Sequence, residues 1–115
     1  MLLRVILSLV VALNGVYDIA CAIQLLLFPG LYELHISMFE SEDDRENAVV
    51  HKLMASWMFT YGCIRLWQVS PTLVAVSYLI EAAAFHSLMD RIYRWNGMFV
   101  CYTSLAMAMA SYLAL

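Results

Sequence analysis

Charge is the scarcest commodity in this chain: 115 residues carry only six Lys and Arg and nine Asp and Glu. A soluble domain has roughly twice that charged fraction. The net charge of −3 provides no basic footprint for nucleic acid. Glycine and proline are also rare, at four and two, too few for the interrupted helices of transporters. They offer no Gly-rich phosphate loop either. The three cysteines, Cys21, Cys63 and Cys101, are odd in number, far apart and set in apolar runs. No CxxC or Cys/His spacing of a zinc site is present, so no disulfide framework or metal site is expected, and the cysteines read as small buried hydrophobes. Three histidines are too few for a histidine-rich di-iron centre. No Ser/His/Asp set appears, and no catalytic residue is assigned.

What is abundant is apolar surface. Hydrophobic residues make up 64% of the chain, with a mean hydropathy of +0.79. A globule this small cannot hide so much apolar area, so lipid is the expected solvent. The length allows one domain, residues 1–115, and leaves no room for a separate soluble catalytic unit.

Four apolar runs suit membrane spans, at about 2–28, 49–67, 72–93 and 98–115. The expected fold is all-α, a four-helix transmembrane bundle with short loops. The N-terminal run resembles a signal peptide ending at Ala20-Cys21-Ala22, but Asp18 opposes cleavage, and a retained helix is expected. Pro29-Gly30 closes the first run. Leu31, Leu34 and Met38 then fall at helical spacing, predicting a short interfacial helix. Residues 40–47 hold five of the nine acids and read as a solvated loop. Ser70-Pro71 starts the third run, and Trp95-Asn96-Gly97 marks the next turn. Phe28, Tyr32, Trp67, Tyr93, Trp95 and Tyr112 cluster at run ends, as interfacial aromatics do. Arg45, Lys52, Arg91 and Arg94 lie toward the end holding loops one and three, against Arg4 and Arg65 at the other. That bias predicts loops one and three on the cytoplasmic, matrix or stromal side.

Ionisable groups inside a membrane mark function or a specific partner. Counting along each run from its end on the side of the termini sets Asp18, Lys52 and His86 at one depth, about 21–22 Å from that side. An Asp18–Lys52 pair with His86 in reach is the expected intramembrane polar layer. Asn14 joins Asp18, and Asp90 joins His86, one turn away. Polar glue between helices explains such a layer, and so does a lipid head-group site. Glu81 sits nearer the termini, about 13 Å deep, where Arg65 can extend toward it or a partner subunit can meet it. Ser104 and Ala108 form a small-xxx-small pair suited to close packing, within the bundle or on another subunit. No cofactor is required, although His86 can serve as the axial ligand of a haem or pigment, with His51 at a similar depth. Expected partners are other integral membrane proteins and lipids.

One segment adds to this. His51-Lys52-Leu53-Met54-Ala55-Ser56-Trp57 is followed by Phe59 to Ile64 and Arg65, and later by Ala84-Phe85-His86 and Asp90. Over residues 48–90 this resembles the ergosterol biosynthetic protein 28 family, whose basic residue, Trp, Arg and His fall on Lys52, Trp57, Arg65 and His86. The resemblance implies four spans and a non-catalytic scaffold tethering sterol-synthesis enzymes in the endoplasmic reticulum, with sterol among its lipids. The wider expectation is a small accessory or scaffold subunit, in that role or in a respiratory or photosynthetic complex. The alternative is a haem- or pigment-binding anchor, or a small membrane enzyme built on the Asp18, Lys52 and His86 layer.

Overall fold

The computed structural model describes residues 1–31 and 33–115. Five α-helices account for most of it: α1 (Leu2–Leu27), α2 (Glu42–Glu46), α3 (Ala48–Trp67), α4 (Pro71–Ser87) and α5 (Arg94–Ala114). A single 3-10 turn covers Ile36–Met38. No strand is present among the described residues. The fold is therefore all-α, and α1 and α5 are long and apolar enough to cross a membrane.

Local chemistry sets the helix ends. α1 stops two residues before Pro29, which disfavours helical backbone in the residue preceding it. The Asn47 side chain caps α3, accepting from the Val49 and Val50 amides at 2.9 and 3.2 Å. The Ser70 hydroxyl caps α4, accepting from Leu73 at 3.1 Å, and Pro71 occupies the first turn, where its missing N–H is not needed.

Two boundaries differ from the sequence expectation. The third long helix ends at Ser87 rather than near Tyr93, and the fourth begins at Arg94 rather than Met98. Residues 88–91 form a hydrogen-bonded turn, with the Arg91 and Ile92 amides donating to the Leu88 carbonyl at 2.8 and 3.1 Å, and residues 91–93 then pair with the first loop. The Glu40 amide donates to the Arg91 carbonyl at 3.0 Å, and the Tyr93 amide donates to the Met38 carbonyl at 2.9 Å. Phe39 and Ile92 face each other across this bridge, both buried. The expected interfacial helix over Leu31–Phe39 is corrected too. Among the described residues of this stretch only Ile36–Met38 is helical; Ile36, Met38 and Phe39 insert into the core, while Leu31 and Leu34 stay exposed. The acidic stretch carries the short α2, and the Arg45 guanidinium donates to the Phe39 and Glu40 carbonyls at 2.6 and 2.9 Å. Loop one and the 88–93 turn thus form a folded cap over one end of the bundle.

The long helices form two antiparallel hairpins, α1 with α3 and α4 with α5. The first is set by glycine. A Cβ on Gly15 would lie 2.6 Å from the Gly62 carbonyl oxygen and 2.6 Å from the Leu66 amide nitrogen. Only hydrogen fits where two backbones come this close. At the far end of that crossing, Ser8 and Gln68 clasp each other. The Ser8 hydroxyl donates to Gln68 Oε1 at 2.8 Å, and Gln68 Nε2 returns a bond to the Ser8 carbonyl at 2.7 Å. Gln68 adopts a left-handed backbone, φ 47°, which ends α3.

Apolar side chains are distributed outward as well as inward. Leu9, Leu13, Val16, Leu26, Phe59, Leu79, Ile80, Phe99 and Leu113 are all exposed. Among the aromatics expected at run ends, Phe28, Trp67, Tyr93, Trp95 and Tyr112 are exposed at or beside helix termini. Tyr32 lies outside the described residues. Inside, one apolar cluster around Leu25, Met54, Met58 and Phe85 adjoins the cap. A second, around Leu7, Val11, Val74 and Ala108, fills the opposite end.

Gly15→Ala should place a methyl group against backbone that cannot rotate away, costing about 1–3 kcal/mol by overpacking. Gly30→Ala, with nothing within 4 Å of the added carbon, should be near neutral. Thermal melts of the detergent-solubilised protein, read by helical circular dichroism, compare the two directly.

Candidate functional site

The layer between the two apolar clusters is polar and centres on Arg65, which is fully buried at 0% exposure. Its guanidinium donates through Nη1 to Asp18 Oδ2 at 2.6 Å and Asn14 Oδ1 at 3.1 Å. Nη2 donates to Glu81 Oε2 at 2.9 Å, and Nε to the Ser77 hydroxyl at 3.0 Å. The Tyr78 hydroxyl also donates to Asn14 Oδ1, at 2.7 Å. The guanidinium carbon lies 3.7 Å from the Tyr78 ring centre and 4.5 Å from that of Tyr61. Three helices contribute: α1 supplies Asn14 and Asp18, α3 supplies Tyr61 and Arg65, and α4 supplies Ser77, Tyr78 and Glu81.

Chemically this is a cation enclosed by two carboxylates, an amide, a hydroxyl and two aromatic faces. A planar, permanently charged guanidinium suits such an enclosure because its fixed fork serves several acceptors at once. The ring faces add cation–π attraction, which strengthens away from water. The arrangement fixes helices α1, α3 and α4 against one another. A cavity of about 210 Å³, lined by Asn14, Tyr78, Glu81, Thr103 and Ser104 among others, adjoins it from the α5 side.

The Asp18–Lys52 pair is therefore corrected: Asp18 bonds to Arg65, and Lys52 is exposed. The reason is register. With Gly15 opposite Gly62, Asp18 lies about 4–5 Å along the bundle on one side of the crossing. Arg65 lies about as far on the other side. Helical side chains lean toward their own N-terminus. Arg65 on the antiparallel α3 thus leans back toward Asp18 and spans the gap. Lys52 sits about 15 Å beyond the crossing and leans further away. The run ends are not level: α1 continues past the end of α3, so counting from each end misaligned the depths.

His86 is likewise not part of this layer. It is exposed in the last turn of α4, on the wall of a groove of about 620 Å³ with Glu40, Met89, Asp90, Arg94 and Tyr102. Asp90 shares that groove but not the helix, which has already ended. His51, the second histidine of the haem alternative, is buried beneath α2, with its Nε2 2.5 Å from the Arg45 carbonyl. Ser104 and Ala108 are both buried within this chain, so the close-packing pair faces inward and not toward another subunit. Glu81 is likewise turned to Arg65 rather than to a partner.

A second polar group was not singled out from the sequence. In the first loop the Glu33 carboxylate accepts from the His35 amide at 2.8 Å and contacts His35 Nδ1 at 2.5 Å. Both residues are buried, beside Cys21 of α1. Burial pushes the Glu33 carboxyl up, but its bonds with His35 outweigh this and hold it below the ordinary carboxylate value. Burial also pushes the His35 imidazole down, but Cys21 and Glu33 raise it to about 10. The signal available in the sequence was Glu-x-His just after Pro29-Gly30, in a segment otherwise largely apolar.

Comparison with protein-family models, with curated proteins and with solved structures finds no match to this chain.

Arg65→Leu should strand two carboxylates in the interior and destabilise the fold by roughly 3–5 kcal/mol, the usual consequence of removing one partner of a buried ion pair. The double variant Asp18→Asn with Glu81→Gln in that background should recover part of the loss. Denaturation in mixed micelles measures both. The Glu33–His35 pair sets a pH window. Glu33 stabilises above its ordinary value of 4.5, and that stabilisation is lost as pH falls through its lower folded value. His35 stabilises fully below 6.5, and that stabilisation is lost as pH rises through about 10. Melts in chelating buffer should show both limbs, and His35→Asn should flatten the alkaline one.

Proposed function

We propose that this chain is a non-catalytic, multi-pass membrane protein that acts as a small scaffold or accessory subunit, with four spans formed by α1, α3, α4 and α5. The observation that carries this reading is the inside-out polarity of the bundle. The strongest polar groups, Arg65, Asp18 and Glu81, are spent on one another in the interior. The exterior presents leucine, isoleucine, valine and phenylalanine. A charged group inside a lipid-facing bundle needs such internal partners. A chain whose core charges Arg65, Asp18 and Glu81 satisfy one another, and with little mass outside its helices, works by packing, orienting neighbours and holding lipid.

Two features supply contact surface. A groove of about 520 Å³ between α4 and α5 is lined by Ala75, Val76, Leu79, Leu105, Ala108 and Met109, among others, and suits an acyl chain or a sterol-like ring system. The cap formed by loop one and residues 88–93 offers the polar end. With Arg65 committed to the interior, Arg45, Lys52, Arg91 and Arg94 at the capped end face only Arg4 at the other. That asymmetry supports placing the cap on the cytoplasmic side, or its matrix or stromal equivalent. The resemblance of residues 48–90 to the ergosterol biosynthetic protein 28 family supports tethering of sterol-synthesis enzymes. An accessory role in an energy-transducing complex is the other home for the same architecture. The exposed imidazole of His86 on the large groove favours one second reading, a haem- or pigment-binding anchor.

Native purification in mild detergent should recover the chain with other integral membrane proteins, and the identity of these distinguishes the two homes. Recovery as a lone monomer from native membranes overturns the scaffold reading. The same preparation should show no visible absorbance belonging to this chain. A Soret or pigment band abolished by His86→Ala would replace the scaffold with the anchor.

A further inference from the structure

The first loop returns to α1 and sets Glu33 and His35 against Cys21. A thiol sulfur, a carboxylate oxygen and an imidazole nitrogen come within 4.8 Å of one another. The three residues are 6%, 1% and 7% exposed. Three observations set this cluster apart from ordinary core packing. The ligand types differ, one sulfur, one oxygen and one nitrogen, as in sites for borderline metals. The carboxylate is half used: Oε1 bonds to the His35 amide and ring, while Oε2 is buried with no hydrogen-bond partner. A buried carboxylate oxygen left unsatisfied is costly, and a simple Glu–His ion pair does not explain it. Finally, the surroundings are apolar and aromatic, with the Tyr17 and Phe85 ring centres at 6.2 and 6.1 Å from that of His35.

We propose that Cys21, Glu33 and His35 form a binding site for one divalent cation of the zinc class, which fastens the first loop to α1. Bond lengths of about 2.0–2.3 Å in a tetrahedral site put ligand atoms roughly 3.3–3.8 Å apart. The cluster needs to contract by about an ångström, within side-chain adjustment. Glu33 Oε2 supplies the oxygen, while Oε1 keeps its bond to the His35 amide and orients the carboxylate, as a supporting interaction around a metal does. Cys21 binds as thiolate and His35 as neutral imidazole, each releasing its proton to solvent as the metal takes its place. Three protein ligands leave one coordination position for water. The consequence is structural. Residues 38–40, a few residues on from His35, carry the backbone that pairs with residues 91–93, so a metal at Cys21 holds the capped end of the bundle together. The site is independent of the scaffold reading, which can fail without touching it.

The test uses the full chain in mild detergent, stripped with chelator and titrated with Co²⁺. One equivalent should bind and give a thiolate-to-cobalt charge-transfer band, which Zn²⁺ displaces. The band should persist in Cys63→Ser/Cys101→Ser. It should vanish in Cys21→Ser and His35→Gln, with Kd raised roughly 10–100-fold or more. Absence of the band in the wild-type chain overturns the proposal, as does its loss in the double cysteine variant. Its persistence in Cys21→Ser does the same. If Cys21→Ser fails to fold, the wild-type and double-variant titrations still decide the question.

Discussion

The guanidinium of Arg65 is the constraint around which the bundle is organised. A permanent charge placed between two apolar clusters has to be met from several directions, and the helices are arranged to meet it. α1 brings Asn14 and Asp18, α4 brings Ser77 and Glu81, and the Tyr61 and Tyr78 rings cover its faces. The two helix hairpins approach one another sparsely at the backbone level. They meet through this shared cation and through the apolar clusters on either side of it, both of which draw residues from α1, α4 and α5. In the membrane setting proposed for this chain, apolar side chains gain little by leaving lipid for a helix interface, and polar pairing and close packing carry helix association.

The Gly15–Gly62 crossing and the Arg65 cluster are two parts of one device. The glycines let the backbones of α1 and α3 approach until the next residues along, Asp18 and Arg65, fall within reach. Without that approach the arginine would have to extend across a wider gap. The ion pair then holds the register that the glycines permit. Ser8 and Gln68 fix the same register at the far end by exchanging two hydrogen bonds. At the opposite end, the cap relies on loop-to-loop backbone pairing and on the Cys21, Glu33 and His35 cluster. The interior is thus ordered along the bundle axis: cap, apolar cluster, charge cluster, apolar cluster.

Much of this architecture is legible in the order of residues. The long apolar runs, the Pro29-Gly30 break, the Ser70-Pro71 start and the isolated polar residues Asn14, Asp18, Arg65 and Glu81 all stand out. What misled was the assumption that run ends lie level. It paired Asp18 with Lys52 and drew His86 toward them. α1 overhangs α3, and an arginine leaning toward its own N-terminus reaches a partner that a lysine ten residues beyond the glycine crossing does not. The helical extents failed locally for a related reason. Residues 88–93 are compatible with continued helix, but they turn and pair through residues 91–93 with Met38, Phe39 and Glu40 of the first loop, a contact that no single segment specifies.

The scarcity of charge and the wealth of apolar side chains determine by themselves that this chain carries more apolar surface than its own core can bury. In its long apolar runs a helix satisfies the backbone hydrogen bonds within each segment. The tertiary structure decided which polar residues meet. Pairing depends on helix register, on the direction in which side chains lean and on how far one helix overhangs another. None of these is a property of a single segment. The same holds for Cys21, Glu33 and His35, which the return of one loop onto one helix brings together.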